Sequence, residues 1–243
     1  MLYTSTENNK IKEIKKLNNK KYRDETGLFL VEGEHLVKEA INADLIKTLI
    51  IESGYFFENI KNIEIIEVSS SVLKYISSLD TPQPIMGICY KKSSEVIGNR
   101  ILVLDNIQDP GNLGTIIRSS VAFNVDTIVL SQDSVDLYNS KVIRASQGML
   151  FHINIIEKEL KSFIKDLKRD GYNIISTDVK KGKSLKELVK KEKVVIIMGN
   201  EGNGVRKDLI DLADDFLYIK MNNDCESLNV AIATSIILYE FDK

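Results

Sequence analysis

The chain of 243 residues is 43% hydrophobic and 28% charged, with three Pro and no Trp, a composition that excludes disordered and fibrous classes and fits one large domain or two small ones. Its 33 basic and 35 acidic residues leave a formal net charge of −2, so any nucleic-acid surface has to be a local patch. Apolar runs such as Val194–Met198 fall far short of the roughly 20 residues that a membrane-spanning helix needs. The N-terminal stretch carries no signal-like apolar segment, and the expectation is a cytoplasmic protein with no membrane partner. Cys89 and Cys225 form no CxxC motif, and His35 and His152 are the only histidines, so neither a metal set nor a Cys/His pair is expected.

In chain order, residues 10–23 come first, with seven positive charges and one negative, and Ile11, Ile14 and Leu17 at helical spacing. This predicts a basic amphipathic helix, whose ordinary reading is a solvated face. A strand is predicted at 27–32, a helix at 35–42, strands at 48–51 and 63–68, and a helix near 71–78. Thr81-Pro82-Gln83-Pro84 is a turn or extended loop, because each Pro keeps its predecessor out of the helical region. Ile85–Tyr90 reads as a last strand and the polar stretch after it as a linker. The division is a small α/β domain over 1–93, a linker over 94–100 and a second domain over 101–243.

The second domain restarts with the strand Ile101-Leu102-Val103-Leu104-Asp105, a turn ending in Asp109-Pro110-Gly111-Asn112, and a helix to about Phe123. Further strands are predicted at 127–130, 152–156, 172–177, Val194–Met198 and 216–220. Helices are predicted at 139–150, 157–170, 185–190, 206–212 and 227–241. Continuous apolar strands alternating with helices argue for a parallel sheet covered on both faces.

Such sheets bind ligands beyond the carboxyl ends of their strands, and three loops there are unusual. The first runs from Asn106 to Arg118; a turn with a cap explains Pro110, Gly111 and Asn112, but not Arg118. The second is Gly199-Asn200-Glu201-Gly202-Asn203-Gly204, whose glycines let backbone N–H groups approach a ligand, or simply make a turn. Its spacing is GxxGxG rather than the dinucleotide GxGxxG, and Gly182-Lys183-Ser184 lacks the first glycine of a phosphate loop, which would fall at Thr177. The third, 222–231, leads into the final helix. Ser227 is suited to cap that helix, which leaves Asn229 inside its first turn, where an amide is a poor helix former.

Together, Asn112-x-Gly114-x-x-x-Arg118, Gly199-Asn200-Glu201-Gly202 and Ser227-Leu228-Asn229-Val230 resemble the three motifs of the SpoU/TrmH family of RNA ribose 2′-O-methyltransferases, in the SPOUT superfamily. The resemblance extends to 27–33 and to Thr81-Pro82-Gln83, similar to a substrate-binding module like ribosomal protein L30e. It implies an α/β knot, in which the last segment threads a loop to form a trefoil, behind an L30e-like domain. It implies S-adenosyl-L-methionine as cofactor, touched by Gly199, Ile219 and Leu228, with Thr177, Met198, Asn200, Gly202, Met221 and Ser227 as neighbours. It also implies a homodimer, with motif 1 of one subunit near the partner's cofactor.

The family pattern assigns the catalytic task to Arg118, with Asn112 and Asn229 orienting the hydroxyl or its loops and Glu201 locking Arg118 or a backbone group of the first motif. Ala231 stands where many relatives have Ser, removing one hydroxyl near the site. For RNA, Lys15, Lys16, Lys20, Lys21, Arg23 and Arg144 are the candidate contacts, while Tyr22 is suited to stack on a base or to pack on Ile11 or Leu17. The first 93 residues carry 13 basic and 13 acidic side chains, so the basic run is offset elsewhere in that domain. The resulting expectation is an enzyme acting on 23S rRNA, without a metal. The alternatives are a tRNA 2′-O-methyltransferase, or an idle RNA-binding assembly factor in which Asn112, Arg118, Glu201 and Asn229 would have been free to drift.

Overall fold

The computed structural model describes residues 2–58, 60, 62–92, 94, 96–178, 182–187 and 191–242. The chain forms two compact units, Met1–Lys92 with Asp136–Phe151, and Ser93–Val135 with His152–Lys243.

The first unit runs β1 (Leu2–Tyr3), α1 (Asn9–Lys16), α2 (Lys20–Thr26), β2 (Leu28–Glu32), α3 (Glu34–Asn42), β3 (Ile46–Glu52), β4 (Glu64–Val68), α4 (Ser70–Ile76) and β5 (Ile85–Tyr90). Its sheet has the order β1-β4-β3-β5-β2; β1 and β3 lie parallel to β4, and β2 and β3 antiparallel to β5. The helix predicted over 10–23 is two helices. Asn19 accepts from the Lys21 N–H at 2.9 Å and caps α2, while Asn18 Nδ2 donates to the Ile76 carbonyl at 2.7 Å. Adjacent asparagines favour such local bonds over helix continuation. Ile11, Ile14 and Leu17 are buried as their spacing requires, packed with Val72 and Ile76 against the sheet.

On the opposite face of β2, Phe29 packs at a tilt against Tyr138 and stacks with Phe151, at centroid distances of 4.5 and 6.2 Å. These contacts tie 136–151, a stretch placed by sequence in the second domain, to the first unit. Within it, α6 (Ser140–Ser146) is capped by Asn139 and ends at Gln147 in the left-handed region, shorter than the predicted 139–150. A tight 3₁₀ turn, Met149–Phe151, follows.

The second unit contains β6 (Arg100–Leu104), α5 (Pro110–Ala122), β7 (Thr127–Ser131), β8 (Asn154–Lys158), α7 (Leu160–Arg169), β9 (Asn173–Thr177), β10 (Lys183–Ser184), β11 (Val194–Met198), α8 (Lys207–Ile210), β12 (Asp215–Tyr218) and α9 (Val230–Asp242). The sheet order is β10-β12-β9-β11-β6-β7-β8, and every neighbouring pair is parallel. Ile101, Val103, Ile174, Val195 and Ile197 meet Ile164, Leu167 and Leu209 of α7 and α8. The alternate residues Leu102, Leu104, Ile175 and Ile196 are buried on the other face. In place of a helix over 185–190 there is a 3₁₀ turn, Leu185–Glu187; residues 188–190 lie outside the described residues.

From β6 the chain moves towards β7, whereas from β11 it moves towards β12, on the other side of the sheet. The carboxyl ends of β6 and β11 are therefore a topological switch point, where open parallel sheets form a crevice.

Candidate active site

The loops leaving β6 and β11 are bonded together at that switch point. Asp105 is buried; its N–H donates to the Met198 carbonyl at 2.9 Å, its carboxylate accepts from the Arg206 N–H at 2.9 Å, and it forms an ion pair with the Arg206 guanidinium, with Nε at 2.8 Å. Asn106 sits in the left-handed region, φ 58°, and its carbonyl accepts from Asn200 Nδ2 at 2.8 Å. The other end of the Asn200 amide, Oδ1, accepts from the N–H groups of Gly202 and Asn203 at 2.8 and 3.2 Å. Asn200 and Gly204 also exchange two backbone bonds, at 3.0 and 2.9 Å. Asn200 thus uses its side chain to shape the loop. Asp105, Asn106 and Arg206 belong to no sequence motif, and an Asp ending an apolar strand is the one signal that marks them.

Gly199 is fixed by the same closure. A Cβ there would fall 2.1 Å from both the Gly204 carbonyl carbon and the Val205 nitrogen, a contact with backbone that no side-chain rotation relieves.

The three sequence motifs meet in one line of amide bonds. Asn229 Oδ1 accepts from the N–H groups of Ala231 and Ile232, at 2.9 and 3.3 Å. Asn229 Nδ2 donates to Asn112 Oδ1 at 2.9 Å, and Asn112 Nδ2 donates to Glu201 Oε1 at 2.9 Å. Asn229 is therefore the cap of α9 and not a residue inside the helix, which starts at Val230 instead of at Ser227. The reason is that its own amide satisfies the first orphan N–H groups. Likewise Asp109, not Asn112, caps α5, accepting from the Asn112 N–H at 2.7 Å. That leaves the Asn112 side chain for Glu201 and Asn229.

Glu201 does reach the first motif, but through the Asn112 side chain and not through Arg118 or a backbone group. Six residues along α5, at about 100° each, place Arg118 roughly 120° around the helix from Asn112. Arg118 is exposed and makes no hydrogen bond or ion pair among the described residues.

The expected cofactor neighbours lie at adjacent strand ends. Thr177 closes β9, with Oγ1 donating to the Ile197 carbonyl at 2.9 Å, and the buried Met198 closes β11 ahead of Gly199. Ile219 and Met221 follow β12, and Ser227 and Leu228 precede α9; of these, Ser227 is exposed and the rest are half-buried.

In the first unit, the lysines of α1 and α2 carry exposed partners: Lys16 with Glu13 at 2.6 Å, Lys20 with Asp24 at 2.7 Å and Lys21 with Glu25 at 3.9 Å. Lys15 reaches the Ser77 carbonyl at 3.4 Å. Lys15 sits over Tyr75, and Lys16 and Lys21 over Tyr22, with ammonium-to-ring distances of 5.3–6.0 Å. Arg23 departs from the expected surface role: it is 6% exposed, donating to the Leu17 carbonyl at 2.8 Å and pairing with Asp136. Arg144 is half-buried and makes no side-chain bond among the described residues. Among those residues no group of His, Cys, Asp and Glu is placed to hold a metal, and no helix is long and apolar enough to cross a membrane.

The stretch 99–239, carrying all three motifs, matches the SpoU rRNA Methylase family. The chain belongs to that family. Residues 8–87 match the MRM3-like substrate binding domain. A SpoU relative in Bacillus subtilis, the 23S rRNA (guanosine(2553)-2′-O)-methyltransferase RlmP, is 35% identical over 239 residues, covering 97% of this chain and 96% of its own. The AdoMet-bound rRNA methyltransferase from Sinorhizobium meliloti matches with a TM-score of 0.88 at 31% identity, covering 99% of this chain and 97% of that one. An RNA 2′-O ribose methyltransferase matches with a TM-score of 0.82 at 27% identity, covering 99% and 98%. The α/β architecture, a small unit ahead of a parallel-sheet SpoU unit, is the one expected from the motifs.

Proposed function

We propose that this SpoU protein methylates a ribose 2′-hydroxyl of RNA, with 23S rRNA as the substrate, using S-adenosyl-L-methionine. The observation that carries this reading is the bond line Glu201–Asn112–Asn229, which joins the three motifs beside the glycine loop at the switch point. The cofactor's expected neighbours fit its chemistry. Half-buried Ile219, Met221 and Leu228 offer apolar surface to a purine, and the loop at Gly199 lets backbone approach closely. When bound, S-adenosyl-L-methionine supplies an electrophilic methyl group on a sulfonium.

The chain's own task is to orient the 2′-hydroxyl and stabilise the charge that develops as it loses its proton. Arg118, with no partner among the described residues, anchors an RNA phosphate and offsets charge on the 2′-oxygen. A guanidinium is a donor without an acceptor atom and is not suited to act as a general base. Asn112 and Asn229 are held with fixed amide orientation. Glu201 ends the line and keeps one carboxylate oxygen as an acceptor towards the substrate. Lys16, Lys20 and Lys21 exchange their exposed carboxylate partners, and Lys15 its long contact to the Ser77 carbonyl, for RNA phosphates, since such pairs contribute little on their own.

The active form in this reading is a homodimer. Ile232, Ile236 and Tyr239 are 53%, 36% and 50% exposed on one side of α9, an apolar stripe suited to a second copy. The same reading includes the knot, a cytoplasmic setting and no metal.

The test is to incubate the chain with radiolabelled S-adenosyl-L-methionine and unmodified rRNA or tRNA, then locate the product by resistance to alkaline cleavage. Label in rRNA at an alkali-resistant linkage is expected. Label in tRNA alone overturns the substrate, and cofactor binding without label in either RNA or in ribosomal particles supports an idle assembly factor. R118A is expected to lower turnover about 10²–10³-fold with cofactor affinity unchanged; normal turnover removes Arg118 from the mechanism.

A further inference from the structure

A cavity of about 100 Å³ lies inside the first unit, between the 17–23 corner, β2, α3 and the stretch 138–144. It opens to solvent past Ser78, and one water needs roughly 10–15 Å³ of such space, so the cavity holds several. Leu17, Leu30, Leu36, Ile143 and Tyr138 form the apolar part of its wall. Burial pushes the Tyr138 phenol up to about 12, so that side chain stays neutral.

The polar part of the wall has donors to spare. Arg23, which lines the cavity, is 6% exposed, and its buried Nε–H has no partner although both terminal nitrogens are engaged. That nitrogen is sealed from the cavity, so the donors the wall offers are those of Arg144 and Asn139. The Arg144 guanidinium and Asn139 Nδ2, also on the wall, make no bond among the described residues. The wall's carboxylate, Glu32, is already taken up by the Ser78 N–H at 2.9 Å and the Ser77 and Ser78 hydroxyls at 2.5 and 2.7 Å.

The matching ligand is compact, largely apolar and rich in acceptors. A phosphate meets the donors but is too strongly hydrated for the leucine-lined half, and Asp136 already neutralises Arg23. A nucleobase meets both requirements, presenting carbonyl oxygens and ring nitrogens to guanidinium donors and its faces to apolar side chains.

Resting on the RNA-modifying reading above, we infer that this cavity is a base-recognition subsite. It takes one unpaired nucleobase of the RNA, read by Arg144 and Asn139, and is built from residues other than those of methyl transfer. The subsite selects the RNA context around the modified ribose.

The test uses the full chain with its Leu and Ile methyl groups isotopically labelled, titrated separately with the four nucleoside 5′-monophosphates and with ribose 5-phosphate. At least one nucleotide is expected to shift the methyl signals of Leu17, Leu30, Leu36 and Ile143, while ribose 5-phosphate leaves them in place. R144Q, which removes no side-chain bond among the described residues, is expected to weaken that nucleotide about tenfold, and S140F, which fills the cavity, to abolish its effect. No methyl shift with any nucleotide overturns the subsite, and equal shifts with ribose 5-phosphate replace it with a phosphate site. Cofactor binding is measured on the same sample: its loss counts against the methyltransferase reading, whereas its presence without nucleotide shifts counts against the subsite alone.

Discussion

Asn112 commits both ends of its amide to other motif residues, accepting from Asn229 and donating to Glu201. An amide is needed because the position must donate in one direction and accept in the other. N112A and E201A are each expected to lower turnover about 10²-fold, and the double variant little further, because both break one bond line. Single-turnover rates check this, and full additivity would show that the two residues act separately. A second residue-scale consequence concerns acid stability. Hydrogen bonds from Lys20 and Lys91 hold the Asp24 carboxyl below its ordinary 3.8, at about 2. Stability from this group is therefore complete above pH 3.8 and lost as the pH falls towards 2. D24N should show a shallower fall in Tm between pH 5 and 2.5 than the parent chain, by a modest amount since the pairs are exposed. An identical fall in both would remove Asp24 from the acid transition.

Elements expose both the reach and the limits of sequence reading. The apolar period of Ile11, Ile14 and Leu17 was enough to identify a buried helical face, because burial needs only the 3.6-residue repeat. The break between α1 and α2 was not legible. It depends on Ile76, 58 positions away from Asn18, accepting its amide. The start of α9 was misplaced for a related reason: Ser227 and Asn229 are both good caps, and the contact with Asn112 selects Asn229. N229A is expected to cost about 1 kcal/mol of stability through the lost cap, read from denaturant midpoints, and to lower turnover as well. In the loop after β11, G199A is expected to abolish cofactor binding while leaving the sheet intact, since a Cβ meets backbone at 2.1 Å. Calorimetric binding with circular dichroism checks it, and wild-type affinity would show that the loop adapts.

At the scale of the whole molecule, the apolar stripe of α9 predicts self-association. I236K should convert the protein to a monomer in light scattering and reduce turnover with it; a dimeric I236K would move the interface elsewhere. The separation into two α/β units followed from the restart of strand and helix alternation near residue 100. The membership of 136–151 in the first unit did not, because it rests on Phe29 meeting Tyr138 and Phe151, a contact that no local pattern encodes. Taken alone, the sequence determined the parallel α/β class, the buried strands, the three motif loops and, through their resemblance, the family. Periodicity and turn chemistry are local properties, readable over a few residues. Tertiary structure decided which motif side chains bond to one another, that Arg23 is buried while Arg118 is not, and where α9 begins. Those outcomes depend on partners tens to more than a hundred positions apart, brought together only when the sheet closes its switch point and each unit packs its core.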